Sequence, residues 1–199
     1  MASTASSPIL LTRGDALLLV DIQNDFLPGG SLAVPGGDEI IPVVNRCIKR
    51  FMARRLPVFA TRDCHPEGHC SFKESGGPWP VHCVTGTFGF EFPGDLRLPD
   101  DAVVICKADS PDRDAYSGFD GTDLEKRLRK RGVRRLFVAG LATDYCVLST
   151  VTDALKLGFQ AVLLRDGVRA VDIHEGDGDR AVEKMAGSGA LSAVSRDLS

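Results

Sequence analysis

The hydrophobic pattern of the chain is a series of short apolar runs separated by longer amphipathic stretches. Residues 16–20, 57–61, 102–106, 134–139 and 160–164 are built around continuous apolar runs of strand length with little polar alternation, which predicts parallel strands covered on both faces. Between and after them, apolar positions recur at helical spacing over 39–55, 122–131, 144–157 and 174–186, and residues 190–194 predict a short last strand. Strands and helices alternating at this length predict an α/β fold: a single-domain three-layer α/β/α arrangement with a mostly parallel central sheet.

Chemistry collects where the strand runs stop. The first run ends at Asp21, the second at Arg62-Asp63-Cys64-His65 and the third at Lys107; the fourth is followed by a glycine-released turn, Gly140 to Tyr145, and then Cys146. Ligands of open parallel sheets bind outside the carboxyl ends of the strands, so these ends are expected to converge on one pocket. Asp144 is expected to cap the following helix. That places Cys146 in a first turn, where free N–H groups and the helix dipole favour a thiolate and a developing oxyanion. The irregular stretch 65–101 holds several prolines and histidines and the only tryptophan, which suits an active-site wall better than a linker.

Composition narrows the classes. At 199 residues and 43% hydrophobic, the chain suits one domain, expected over 14–199 after a disordered lead-in over 1–13. The net charge of −3 is interspersed, and the basic cluster 126–135 reads as a solvated helix face, so no nucleic acid partner is expected. No apolar stretch approaches the ~20 residues of a membrane span and the start lacks a leader pattern, so the expected location is cytoplasmic with no membrane partner. Six cysteines without a C-x-x-C spacing are expected to be reduced thiols, Cys47 and Cys106 as small buried hydrophobes. The Gly29-Gly30 and Gly36-Gly37 pairs lack a P-loop lysine and read as turns.

The motifs Asp21-Ile22-Gln23-Asn24-Asp25-Phe26, Asp63-x-His65-Pro66-x-x-His69-x-Ser71-Phe72, Trp79-Pro80-x-His82-Cys83, Lys107 with Asp114-x-Tyr116-Ser117, and Gly140-x-Ala142-Thr143-Asp144-x-Cys146 occur in this order. Together they resemble the nicotinamidase/pyrazinamidase branch of the isochorismatase-like hydrolases. The resemblance implies hydrolysis of nicotinamide, and of pyrazinamide, to the acid and ammonia through a cysteine thioester, in NAD salvage. It implies catalytic roles for Asp21, Lys107 and Cys146, a cis peptide at Leu141-Ala142, and an oxyanion hole from the amides of Ala142 and Cys146. It also implies one divalent metal ion on Asp63, His65 and His82, with zinc expected and iron or manganese as alternatives. Phe26, Trp79, Tyr116 and Leu141 would contact the substrate. His69 is left as either a further ligand or a hydrogen-bonding support. Relatives assemble, so a homo-oligomer is expected. Another amidohydrolase of the same fold, acting on ureido or N-carbamoyl amides, or isochorismatase itself, is the alternative. Cys64, Cys70 and Ala108 depart from the usual pattern, and oxidant sensitivity is expected if Cys64 or Cys70 is exposed near Cys146.

Overall fold

The computed structural model describes residues 8–199. Six strands, Asp15–Val20 (β1), Val58–Asp63 (β2), Val103–Lys107 (β3), Arg135–Leu141 (β4), Gln160–Arg169 (β5) and Leu191–Ala193 (β6), form one sheet in the order β3-β2-β1-β4-β5-β6, and every pairing is parallel. Four α-helices cover it: Ile40–Ala53 (α1), Leu124–Lys130 (α2), Leu148–Lys156 (α3) and Asp177–Gly187 (α4). Along β1, Leu17 and Leu19 pack with the apolar stripe of α1, whereas Ala16, Leu18 and Val20 pack with Leu124 and Leu128 of α2, Val151 of α3 and Met185 of α4. The period-two alternation of a strand therefore feeds two separate cores, which is why its sequence is apolar throughout. The three-layer arrangement is the expected one.

Several boundaries differ, each for a tertiary reason. β2 and β3 run on through Asp63 and Lys107 because these two residues pair in register, so the ionisable ends lie inside the sheet. β5 continues to Arg169, past the apolar run, after a register shift opposite Val138/Gly140 of β4. Gly140 allows that shift: its φ is 129°, and an added Cβ would lie 2.0 Å from the Val20 carbonyl oxygen. β3 was expected to be buried on both faces, but it is the sheet edge, and Val104 and Cys106 are exposed.

Of the expected lead-in, residues 1–7 lie outside the described residues. Residues 8–13 join the domain: Ile9 bridges to Leu198, and Leu11 is buried in the α1-side core.

The expectation that all six cysteines are reduced is overturned, because Cys64 and Cys106 form a disulfide. Their separation of 42 residues hides the pairing in the sequence. The Asp63↔Lys107 register brings their Cα atoms to 5.5 Å, within ordinary disulfide reach. Cys106 is thus not a buried hydrophobe, and Cys64 is not a free thiol for an oxidant. Cys47, Cys70, Cys83 and Cys146 are free.

Candidate active site

β1 lies between β2 and β4, and the chain reverses its direction of winding there, so the crevice at the carboxyl ends of β1 and β4 is the expected binding point. Asp21 follows β1 directly and is fully buried. Its φ of 48° is left-handed, a strained conformation for a residue with a side chain, as are the 49° of Cys83 and the 52° of Ala108. Asp21 is itself a site residue, and Cys83 and Ala108 directly follow two others, His82 and Lys107. A φ of 52° at Ala108 is one that glycine adopts without the clash a Cβ brings.

Lys107, from the buried end of β3, sits at the centre. Its Nζ lies 3.0 Å from Oδ2 of Asp21 and 3.5 Å from the Cys146 sulfur, donates to the Ala115 carbonyl at 3.0 Å, and makes a very short contact with Oδ1 of Asp63. Thr61 donates its hydroxyl to Oδ1 of Asp21 at 2.6 Å. The expected carboxylate, amine and thiol are thus together, and the structure adds that Lys107 also pairs with the expected metal-ligand Asp63. A fully buried ammonium needs such partners. Burial alone would lower its pKa, but Asp21 and Asp63 outweigh burial and hold it well above the usual lysine range, so Lys107 stays charged. Burial raises the Asp21 pKa against the opposing pull of Lys107. Burial likewise pushes the Cys146 thiol well up, with Lys107 again opposing, so the resting sulfur is a protonated thiol.

Cys146 lies in a π-helical turn, Thr143–Val147, that precedes α3. The Leu141-Ala142 peptide is cis, as expected. Asp144, however, does not cap the helix. Its two carboxylate oxygens accept the amides of Val171 (3.0 Å) and Asp172 (2.9 Å), tying the nucleophile turn to the loop after β5. Leu141 also departs from expectation. Its side chain is fully buried in the α1-side core and does not line the cavity.

Beside the thiol, ligand atoms of Asp63, His65 and His82 lie within 4.8 Å of one another, all three residues buried. Their hydrogen bonds leave the right atoms free. Nδ1 of His65 donates to the His82 carbonyl (3.0 Å) and Nδ1 of His82 to the Pro80 carbonyl (2.8 Å), which leaves each Nε2 with its lone pair. Nε2 of His65 is buried with no hydrogen-bond partner. Burial lowers the pKa of both rings, that of His65 to about 3, so both are neutral imidazoles. Two neutral nitrogens and a carboxylate fit a transition-metal dication better than calcium. His69 differs: it stacks on His65 at 4.2 Å, Nδ1 faces the Ser71 hydroxyl at 2.8 Å and Nε2 faces the Arg113 carbonyl at 3.2 Å. Both nitrogens have hydrogen-bond partners, and His69 also stands with His65 and Asp114 in a second group whose ligand atoms lie within 4.8 Å of one another.

One cavity joins the thiol and the histidines. Phe26, Trp79 and Tyr116 line it as expected, and Trp79 donates its indole N–H to the Tyr116 hydroxyl at 2.9 Å. Leu32, Val34, Tyr145 and Val171 also line it and escaped the sequence reading. Only Tyr145, adjacent to the nucleophile, carried a local signal. The rest of the Asp21–Phe26 motif holds the frame. Gln23, fully buried, donates Nε2 to the carbonyls of Asp63 and Phe90 (2.9 Å each) and accepts the Asp63 amide at 2.8 Å. Asp25 accepts the amide of Cys83, next to His82, at 2.7 Å.

A parallel sheet with a buried thiol, lysine and carboxylate at its switch point defines a cysteine hydrolase of the isochorismatase type, and a family model described as the isochorismatase domain matches residues 15–194; the chain belongs to that family. Within the family it is 40% identical over 196 residues to the nicotinamidase of Escherichia coli, covering 88% of this chain and 92% of that one. A pyrazinamidase of Pyrococcus horikoshii, solved in complex with zinc, superposes with a TM-score of 0.88 at 52% identity over 91% of this chain and 99% of the other. A protein of L. infantum solved in complex with nicotinate superposes with a TM-score of 0.90 at 37% identity, covering 96% and 98% of the two chains.

Proposed function

We propose that this chain is a cysteine amidohydrolase that converts nicotinamide to nicotinate and ammonia, accepts pyrazinamide, and uses one divalent cation, zinc, on Asp63, His65 and His82. One observation carries the reading: the same aromatic-walled cavity is lined by Cys146 and by His65, whose Nε2 is buried with no hydrogen-bond partner. The zinc in the Pyrococcus horikoshii structure and the nicotinate in the L. infantum structure support it. A cation held by Asp63, His65 and His82 would supply an interaction that orients the substrate ring, a positioning role.

The chain's own residues carry the reaction. Asp21, its basicity raised by burial, accepts the Cys146 proton as the sulfur attacks the carboxamide carbon. Lys107, held charged, stabilises the thiolate as it forms and keeps Asp21 ionised until that moment. The amides of Ala142 and Cys146 are assigned to the tetrahedral oxyanion, where one donor is worth about a hundredfold or more in rate. Asp21 returns the proton to the departing ammonia, then takes one from the water that hydrolyses the thioester and gives it to the Cys146 sulfur as that sulfur leaves, which restores the thiol and the ionised carboxylate. Phe26, Trp79, Tyr116 and Tyr145 wall the ring and exclude bulk water.

Ammonia release from nicotinamide, pyrazinamide and ureidoacrylate, together with turnover of isochorismate, tests the reading. Nicotinamide is expected to be the best substrate, with turnover lost in Cys146→Ala and the fold kept. A higher kcat/KM for the ureido compound or isochorismate would assign the site to another branch of the family.

A further inference from the structure

We infer that the Cys64–Cys106 disulfide is a redox modification site that sets how firmly the neighbouring cluster retains its cation, with a small dithiol as the reductant. The inference rests on the reading of Asp63, His65 and His82 as a cation site. Three features of the structure carry it.

The first is position. Cys64 stands between Asp63 and His65, and Cys106 stands immediately before Lys107, so the bond joins the two strand ends that deliver two ligands and the lysine paired with one of them. The last register pair of β2 and β3 is Asp63↔Lys107; one further backbone bond follows, from the Cys64 amide to the Lys107 carbonyl at 3.0 Å. The disulfide spans the same level, from Cys64 just after β2 to Cys106 within β3, and adds a covalent tie to those last hydrogen-bonded rungs. The second is topology. The bond closes a 42-residue span of chain that contains both His65 and His82, so it ties the two ends of the segment carrying the nitrogen ligands. The third is access. β3 is the sheet edge and Cys106 is exposed, whereas Cys64 is only 6% exposed.

The exchange follows from that asymmetry. One thiolate of the dithiol attacks the exposed Cys106 sulfur, the S–S bond breaks, and the Cys64 sulfur leaves and takes up a proton. The second thiol then attacks the reductant's own sulfur in the mixed disulfide, freeing Cys106 as a thiol. Two electrons and two protons pass to the protein, and the dithiol closes to a cyclic disulfide. The oxidised form is the one that holds the ligand frame. Reduction removes the covalent tie and leaves the ends of β2 and β3 held by hydrogen bonds and the Lys107–Asp63 pair alone, which loosens the ligand frame and lowers cation affinity.

The test is zinc affinity, measured by competition with a chromogenic chelator on the full chain. Air-oxidised protein is compared with protein reduced by a phosphine and desalted anaerobically, the thiol count of each being fixed by alkylation and intact mass. Reduction is expected to weaken zinc binding roughly tenfold or more. Turnover at saturating zinc should be kept, so failure here is distinct from failure of the assigned activity. Cys64→Ser/Cys106→Ser should bind zinc like the reduced chain and ignore the reductant, whereas Cys70→Ser should keep the redox response. If the double variant does not fold, reversible reduction of the native chain still decides. Equal zinc affinity in both redox states, or two free thiols at 64 and 106 in the air-oxidised protein, would overturn the inference. Zinc bound by neither form would overturn the cation site and this inference with it.

Discussion

Replacing Lys107 with methionine keeps the shape of the side chain and removes a positive charge that touches Asp21, Asp63 and Cys146 together. At the observed 3.5 Å between Nζ and the sulfur, and with an effective dielectric of about 20, a lysine–thiolate pair is worth about 5 kcal/mol. Divided by about 1.4 kcal/mol per pKa unit, that is a rise of about 3 units in the thiol pKa. Part of it is returned because the two buried carboxylates, left without a counter-charge, take up protons. The expected loss in kcat for nicotinamide is therefore roughly 100- to 1,000-fold, with KM changed only a few-fold. Breaking a buried charge network from one side should also cost about 3–5 kcal/mol of stability. Zinc affinity should not fall, because the ammonium competes with a cation for the same Asp63 oxygen. The assays are ammonia release across pH and the pH dependence of Cys146 alkylation, read at the modified peptide. A folded, zinc-loaded Lys107→Met protein with kcat within tenfold of the parent, or with an unmoved alkylation midpoint, would refute the electrostatic reasoning.

Other expectations follow from single features of the site. His65, lowered by burial to about 3 from 6.5, stays neutral in the fold while the unfolded chain protonates it, so its contribution to stability is present above pH 6.5 and is lost as pH falls toward 3. Denaturant titration of metal-free protein should give about 2 kcal/mol less stability near pH 5 than near pH 7 from this ring; a flat profile would contradict it. Asp21, raised by burial, acts in the opposite sense, since the folded state holds its proton more tightly and that stability is lost as pH rises through the raised value. Gln23→Ala removes both backbone clamps on Asp63 and should weaken zinc binding by roughly 10- to 100-fold, while Gln23→Glu, which keeps the acceptor for the Asp63 amide, should recover part of it. Unchanged affinity in the alanine variant would show that Gln23 only fills space. Ala108→Gly relieves a left-handed φ of 52° and should raise stability by up to about 1 kcal/mol, or roughly 2–4 °C in Tm; a clear fall in Tm would argue against that strain.

Much of this molecule is local. Continuous apolar runs mark β1, β2 and β4 because each buries both faces, and an ionisable residue can follow such a run only where the strand emerges into a site. The residue types at those ends, Asp21, Asp63, His65, Lys107 and Cys146, were readable for that reason, and the spacing of Asp63 and His65 around one residue puts both on one side of an extended chain. Which ends are neighbours is another matter. The strand order 3-2-1-4-5-6 and the Asp63↔Lys107 register decide that Lys107 serves both Asp21 and Asp63, and that Cys64 meets Cys106 across 42 residues. The loop after β5 draws Asp144 away from its local helix, since two adjacent backbone amides there, those of Val171 and Asp172, take one carboxylate oxygen each. The hydrogen-bond partners of His69 likewise come from 2 and 44 residues away. Chain-local patterning thus determined which side chains stand at the mouths of the strands, and only the packed sheet determined their partners, because distance through space depends on register and layer order that no short window of sequence contains.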